Sequence, residues 1–182
     1  MAGTAGRIMM SAHDFAAACV HESAHALVAV ATGGRLTALT VTPVPTGSHA
    51  GHVEYSTPPG ITLPENEIAY AGLFAESVFD SNGGRPAHRT LLAALAANPD
   101  DRTALLDHRG TVALPREIEP VLLDLMPSVL TVAATLATAR QGRLPAPHRQ
   151  VAAVLGMSPT SGPLIRGSLR NSGWALRGLE AG

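Results

Sequence analysis

Two histidines four residues apart, with a glutamate directly after the first, form the chain's clearest chemical signature: His21-Glu22-Ser23-Ala24-His25. On a helix, residues at that spacing project from one face, one turn from each other. Two imidazole nitrogens so placed reach one small divalent cation at about 2 Å each. Glu22 lies about 100° further round the helix, where its carboxylate meets a water beside the cation rather than the cation itself. Zinc held there would acidify that water toward neutral pH, and Glu22 would take its proton as the water attacks a carbonyl. The same glutamic acid would then hand the proton to a leaving amine. Polarisation of the carbonyl by the cation stabilises the tetrahedral intermediate. His21 and His25 are therefore read as metal ligands, Glu22 as the catalytic base and Zn2+ as the cofactor.

The surroundings favour that reading over three ordinary polar residues on a wet helix. From Phe15 to Val30 nearly every other residue is Ala, Val, Leu or Cys, so the helix is apolar all round and belongs in a core. Ionisable groups inside such a helix are costly unless they are paired or bind a metal. Cys19, two residues before His21, points away from it and reads as a small core residue. Zinc needs a third protein ligand and an open fourth position. No third histidine follows His25 at short spacing, so that ligand lies further along the chain. Glu76 is one candidate, since it shares a helix face with Ile68, Gly72 and Phe79. Asp100 and Asp101, at a helix start, are a second. His49 and His52 are a third, although their turn-rich stretch suggests solvated groups.

The elements that must position these residues can be read from patterning. The first helix is expected from about Asp14 to Thr32, with Ser11 and Asp14 at capping-box spacing and Gly33-Gly34 as its stop. Leu36, Leu39, Val41 and Val44, then Val53 and Tyr55, flank the turn residues Pro45-Thr46-Gly47-Ser48 and predict two short strands within 35–55. A Pro-rich loop at 56–64 follows. A second helix is expected from near Pro64 to about Phe79, with Thr62 and Glu65 at capping-box spacing, and Ser81-Asn82-Gly83-Gly84 breaks it. An Ala/Leu helix is expected over 86–97. Asn98 as N-cap and Pro99 as first residue open another. Residues 116–141 read as one helix broken by Pro127, or as two in succession, and a last helix spans about 147–155. The fold class is mainly α (α+β), with a small β-hairpin or sheet after the histidine helix.

Bulk properties narrow the function classes. The chain has 182 residues, 46% of them apolar and 15% charged, a composition that folds as one domain. With only 3% aromatic residues, the core must be built from Ala, Leu and Val. All 13 basic residues are arginine, and the formal net charge is −1, which argues against nucleic acid as a partner. A single cysteine rules out an internal disulfide and fits a reducing compartment. No secretory signal and no segment approaching a membrane span are expected, so a cytoplasmic location is expected. The arginines after residue 157, Arg166, Arg170 and Arg177, read as part of a solvated tail. His13, His88 and His148 are expected at the surface, and Met126 in packing.

Over about residues 14–156 the chain resembles the peptidase domain of the FtsH-type, membrane-anchored AAA proteases. The stretch His21-Glu22-Ser23-Ala24-His25-Ala26-Leu27-Val28-Ala29 is similar to that family's zinc helix, typically HEAGHALVA. The segment from Arg35 to Tyr55 resembles the strand pair after it, with Gly51-His52-Val53-Glu54-Tyr55 in place of a Leu-Gly-Tyr segment. Ala71-Gly72-Leu73-Phe74-Ala75-Glu76 looks like the family's Ala-Gly-Arg-x-Ala-Glu helix. The helices from Ser128 to Leu155, with a turn at Gly142-Arg143-Leu144, resemble its closing pattern. The resemblance implies a helical zincin-like peptidase domain and an aspartate as third zinc ligand, hence Asp100 or Asp101, with Glu76 left to support the ligands. Asp101 would occupy the third helical position, with Ala104, Leu105 and His108 following on the core side; the family spacing to Ala104 would instead favour Asp100.

The resemblance extends to the peptidase part alone. The sequence contains no Gly-x-x-x-x-Gly-Lys-[Ser/Thr] loop and no anchor is expected, and the Ala/Leu helix at 86–97 replaces what resembles a short loop. The expected organisation is an N-terminal extension (1–13), a metallopeptidase domain (14–156) and a flexible C-terminal tail (157–182). The expected activity is zinc-dependent endopeptidase cleavage of peptides or unfolded segments, alone, as a homo-oligomer, or with a separate ATPase. Two other readings are a catalytically silent binding or regulatory module and a metal sensor with a closed site, completed by His108 or His52.

Overall fold

The computed structural model describes residues 11–43, 49–165 and 169, the side chains of 43, 49 and 50 excepted. Among these residues the chain is mainly helical, with one small antiparallel sheet. Helix α1 (Ala12–Ala31) begins with the expected capping box: the Ser11 hydroxyl accepts from the Asp14 N–H at 3.0 Å, and the Asp14 carboxylate accepts from the Ser11 N–H. The helix starts two residues earlier than expected, directly after the Ser11 cap that the sequence names. Every residue from Ala17 to Ala31 is buried, as an all-round apolar helix requires. Small side chains let the other elements approach it closely.

Strands β1 (Arg35–Pro43) and β2 (His49–Ser56) pair antiparallel, with Leu39 opposite Val53 and Val41 opposite Gly51. The far edge of β1 is partly covered: Thr40 bridges Arg143, and the Leu144 N–H donates to the Leu39 carbonyl at 3.0 Å. Helix α2 (Glu65–Asp80) packs along α1 and buries Tyr70, Leu73 and Phe74. Its expected Thr62–Glu65 capping box does not form. Pro64 occupies the cap position without a side-chain bond, and Glu65 turns instead to the Tyr55 hydroxyl. Helices α3 (His88–Ala97) and α4 (Pro99–Ala104) meet at Asn98. Asn98 makes no cap bond either; its side-chain amide is committed elsewhere.

Helix α5 (Glu119–Thr138) runs unbroken through Pro127. Pro127 falls in its third turn, where only one backbone bond is lost, and the Thr131 hydroxyl donates to the Pro127 carbonyl at 2.9 Å. A short 3-10 turn (Arg116–Ile118) leads into it. By length and composition alone, Arg116–Thr138 is long and apolar enough to cross a membrane, a test that the core helix of a soluble protein also passes. Its stripe Leu122, Leu125, Val129, Val132 and Leu136 is buried, whereas Leu130 is exposed. Helix α6 (Pro147–Val154) follows as expected.

The segment from residue 157, expected as a flexible tail, packs in its first part. The Ile165 N–H donates to the Ala31 carbonyl at 2.9 Å, the Leu169 N–H donates to the buried Glu67 carboxylate at 2.7 Å, and both side chains are buried. Ile165 and Leu169 thus dock against the end of α1 and the start of α2. Arg166, Arg170 and Arg177 lie outside the described residues, as do residues 1–10.

Candidate metal centre

The sequence places three polar groups in the middle of α1, and the fold keeps them nearly dry: His21 is 3% exposed, Glu22 8% and His25 8%. The two rings stand edge to face with centroids 4.5 Å apart, and their Nε2 atoms are 2.9 Å apart. Their other nitrogens are committed to acceptors. His21 Nδ1 lies 2.8 Å from a Glu76 oxygen and His25 Nδ1 2.7 Å from the Ile68 carbonyl. Neither acceptor carries a proton to give, so both Nδ1 atoms hold hydrogens, and in the neutral rings both Nε2 atoms turn lone pairs toward the same point.

Helix α2 makes this arrangement possible through the absence of a side chain. A Cβ on Gly72 would collide with the His25 ring and come within 2.9 Å of His21 Nε2. One turn further on, Glu76 reaches His21, and the Asn98 side-chain amide donates to the same Glu76 oxygen at 3.3 Å and to the Ala94 carbonyl at 2.9 Å. Glu76 thus orients a ring from behind and does not join the converging atoms. Such outer partners fix tautomer and raise ligand basicity. Asn98, expected as a helix cap, serves a residue 22 positions away instead, and no local signal carries that.

Helix α4 completes the group. Asp101 Oδ2 lies 2.9 Å from His21 Nε2, and Oδ1 3.4 Å from His25 Nε2. One atom from each of His21, His25 and Asp101 falls within 4.8 Å of the others, and Asp101 Oδ2 is buried with no hydrogen-bond donor aligned on it. Asp100, its neighbour, is exposed and outside the cluster. Of the candidates for a third ligand, Asp101 is therefore the one brought to the histidines. Ala104 and His108, expected on the core side, are exposed instead, and only Leu105 is buried there. A six-residue helix end is too short to bury more than one flank. His52 is exposed on the cleft wall and is not part of the cluster, and the His49 side chain lies outside the described residues.

The electrostatics carry the mark of the same convergence. Burial opposes charge on His21, but the Asp101 and Glu76 carboxylates outweigh it and push the imidazole up to about 10. Burial alone would raise the Asp101 carboxyl; the two imidazoles hold it well below the usual carboxylate range. The site demands positive charge between its donors. Two imidazole nitrogens and one carboxylate form a donor set that could hold a divalent metal ion and leave a side open.

That open side is a cleft of about 500 Å3 between α1, β2, the start of α2 and α4. Glu22, Gly51, Tyr55, Glu65 and Asp100 line it together with the cluster. The Tyr55 hydroxyl donates to Glu65 across the cleft wall, and burial together with that carboxylate raises the phenol above its ordinary range. Sequence reading placed Tyr55 in a strand and Glu65 in a capping box, and gave neither a place in the cleft. Cys19 is buried, as expected, and burial with the nearby Glu22 charge pushes its thiol up to about 11. No protein-family model, curated protein or solved structure matches the chain.

Proposed function

We propose that this chain is a zinc-dependent endopeptidase with a helical, zincin-like domain of the FtsH type, acting on peptides or unfolded segments. The observation that carries the reading is the convergence of His21 Nε2, His25 Nε2 and a buried, unmatched Asp101 oxygen beside Glu22 in an open cleft. Bound Zn2+ supplies Lewis acidity toward a carbonyl and brings the pKa of a water near neutrality. Glu22, next in sequence to one ligand and facing the cleft, takes the proton of the attacking water and passes it to the departing amine. Glu76 and the Ile68 carbonyl hold the ligand rings in one tautomer throughout. The cleft walls limit the water around the reacting bond.

Strand β2 borders the cleft, and among the described residues no strand pairs with its outer edge. A peptide added there as an extended strand would be gripped by main-chain bonds, with little sequence preference. The domain would act on flexible chains, or on segments delivered to it by an ATPase.

Metal analysis together with cleavage of an unstructured fluorogenic peptide pool tests the proposal. Purified protein is expected to hold about one zinc and to lose cleavage on chelation. Glu22→Gln is expected to keep the zinc and lose about 10²–10⁴-fold in kcat. Full cleavage by Glu22→Gln, or cleavage indifferent to the chelator, would overturn it. Zinc bound without cleavage in either form would support a binding or regulatory module instead.

A further inference from the structure

Glu22 is held by a contact that the histidine motif does not contain. Strand β2 passes so close to α1 that a Cβ built on Gly51 would overlap the Glu22 carboxylate and lie 2.6 Å from its Cγ. Real Cβ contacts are never that short, so at this point of the strand any side chain displaces either the carboxylate or the strand. Displacing the strand is the harder course. Gly51 sits in register opposite Val41, which is fully buried, and Val53, two residues on, faces the equally buried Leu39. Sliding β2 outward would undo that packing. The carboxylate, at the end of a flexible side chain, is the group that yields. Gly51 has no positive φ to explain its presence, since it is absent from the left-handed residues of the chain. Its want of a side chain serves the neighbour and not its own backbone.

We infer that Gly51 is a positioning residue for Glu22: the bare backbone of β2 forms the wall that keeps the base aimed at the cleft. The inference rests on the proposed role of Glu22 for its consequence in catalysis, but not for its geometry. A displacement of about 1 Å in a catalytic group costs on the order of 10²-fold in rate. Gly51 acts through Glu22 and touches no reacting atom itself. The same strand edge that would take up an extended peptide is thereby also the element that sets the base, so substrate register and base position share one reference.

The test compares wild type, Gly51→Ala, Glu22→Gln and the Gly51→Ala/Glu22→Gln double variant, all loaded with zinc. Gly51→Ala is expected to keep its zinc and its KM and to lose about 10²-fold in kcat, and the double variant to be no slower than Glu22→Gln alone. Crystal structures of wild type and Gly51→Ala supply a readout free of activity: the Glu22 carboxylate is expected to swing away with β2 in place. If β2 has moved and the carboxylate has not, or if the kcat losses multiply in the double variant, the inference is wrong. Should wild type cleave nothing, the proposed function fails while the crystallographic comparison still decides the positioning. If Gly51→Ala does not fold, Glu22→Ala added to it vacates the contested space and is expected to restore folding; failure to do so overturns the inference.

Discussion

Two carboxylate clusters among the described residues, one around Glu119 and one around Asp101, are satisfied in opposite ways. At one end Glu119, 3% exposed, accepts from the Tyr70 hydroxyl at 2.8 Å and from two Arg85 nitrogens at 3.1 and 2.5 Å. Acceptor meets donor, a negative charge meets a positive one, and nothing further is required. At the other end Asp101 meets His21 and His25, whose Nδ1 atoms are committed elsewhere, so that in the neutral rings lone pairs face lone pairs. Hydroxyl and guanidinium donors close the Glu119 cluster, whereas the Asp101 cluster leaves room for a proton or a cation between its acceptors. Burial of charge is thus no sign of a site; burial with acceptors facing one another is.

Removing an acceptor from each cluster should separate the two most widely. Asp101→Ala is expected to lower zinc affinity by about 10³-fold or more, beyond the 10–100-fold that an outer partner commands, while Asp100→Ala leaves it unchanged; equilibrium dialysis measures both. Equal losses from the two substitutions would contradict the assignment of Asp101. Glu76→Ala should fall between, weakening zinc by about 10–100-fold because it only orients His21.

Glu119→Ala should leave zinc binding untouched and cost about 2 kcal/mol in urea unfolding, since it strands the Tyr70 hydroxyl while Arg85, 71% exposed, returns to water. A zinc effect there would mean the two clusters are coupled.

A smaller effect distinguishes the clusters by pH. Without zinc, the raised His21 pKa means the ring keeps a proton at pH 7, which stands where the cation would go. Its contribution to stability is full below about 6.5 and is lost as pH rises through about 10. Zinc binding at pH 7 should therefore release about one proton from His21, visible as a dependence of calorimetric heat on buffer ionisation. The smallest expected signal is chemical: with its thiol raised to about 11, buried Cys19 should resist alkylation at pH 8 in the folded protein and react on unfolding.

The chain itself determined the elements and the motif. Ser11 and Asp14 cap α1 because both bonds close within one turn, and the all-apolar run after them can only be buried. Alternating apolar residues on either side of Pro45-Thr46-Gly47-Ser48 announce the two paired strands, while the turn residues themselves lie outside the described residues. These are local signals, each read within a few positions. His21, Glu22 and His25 belong with them, since one helical turn fixes their spacing. What the sequence left open was every relation between distant segments. Glu76 and Asp101 are both acidic residues on helices, and only the placement of α4 against α2 makes one the neighbour of two imidazoles and the other their support. Asn98 has the form of a cap and serves Glu76; Gly72 and Gly51 are glycines whose reason lies in side chains from another helix. The run from Met157 has the composition of a tail, yet Ile165 and Leu169 find the α1–α2 junction. Helix and turn energies are decided over a few residues, whereas lone-pair convergence and close approach depend on how whole elements stack, which no short stretch of sequence encodes by itself.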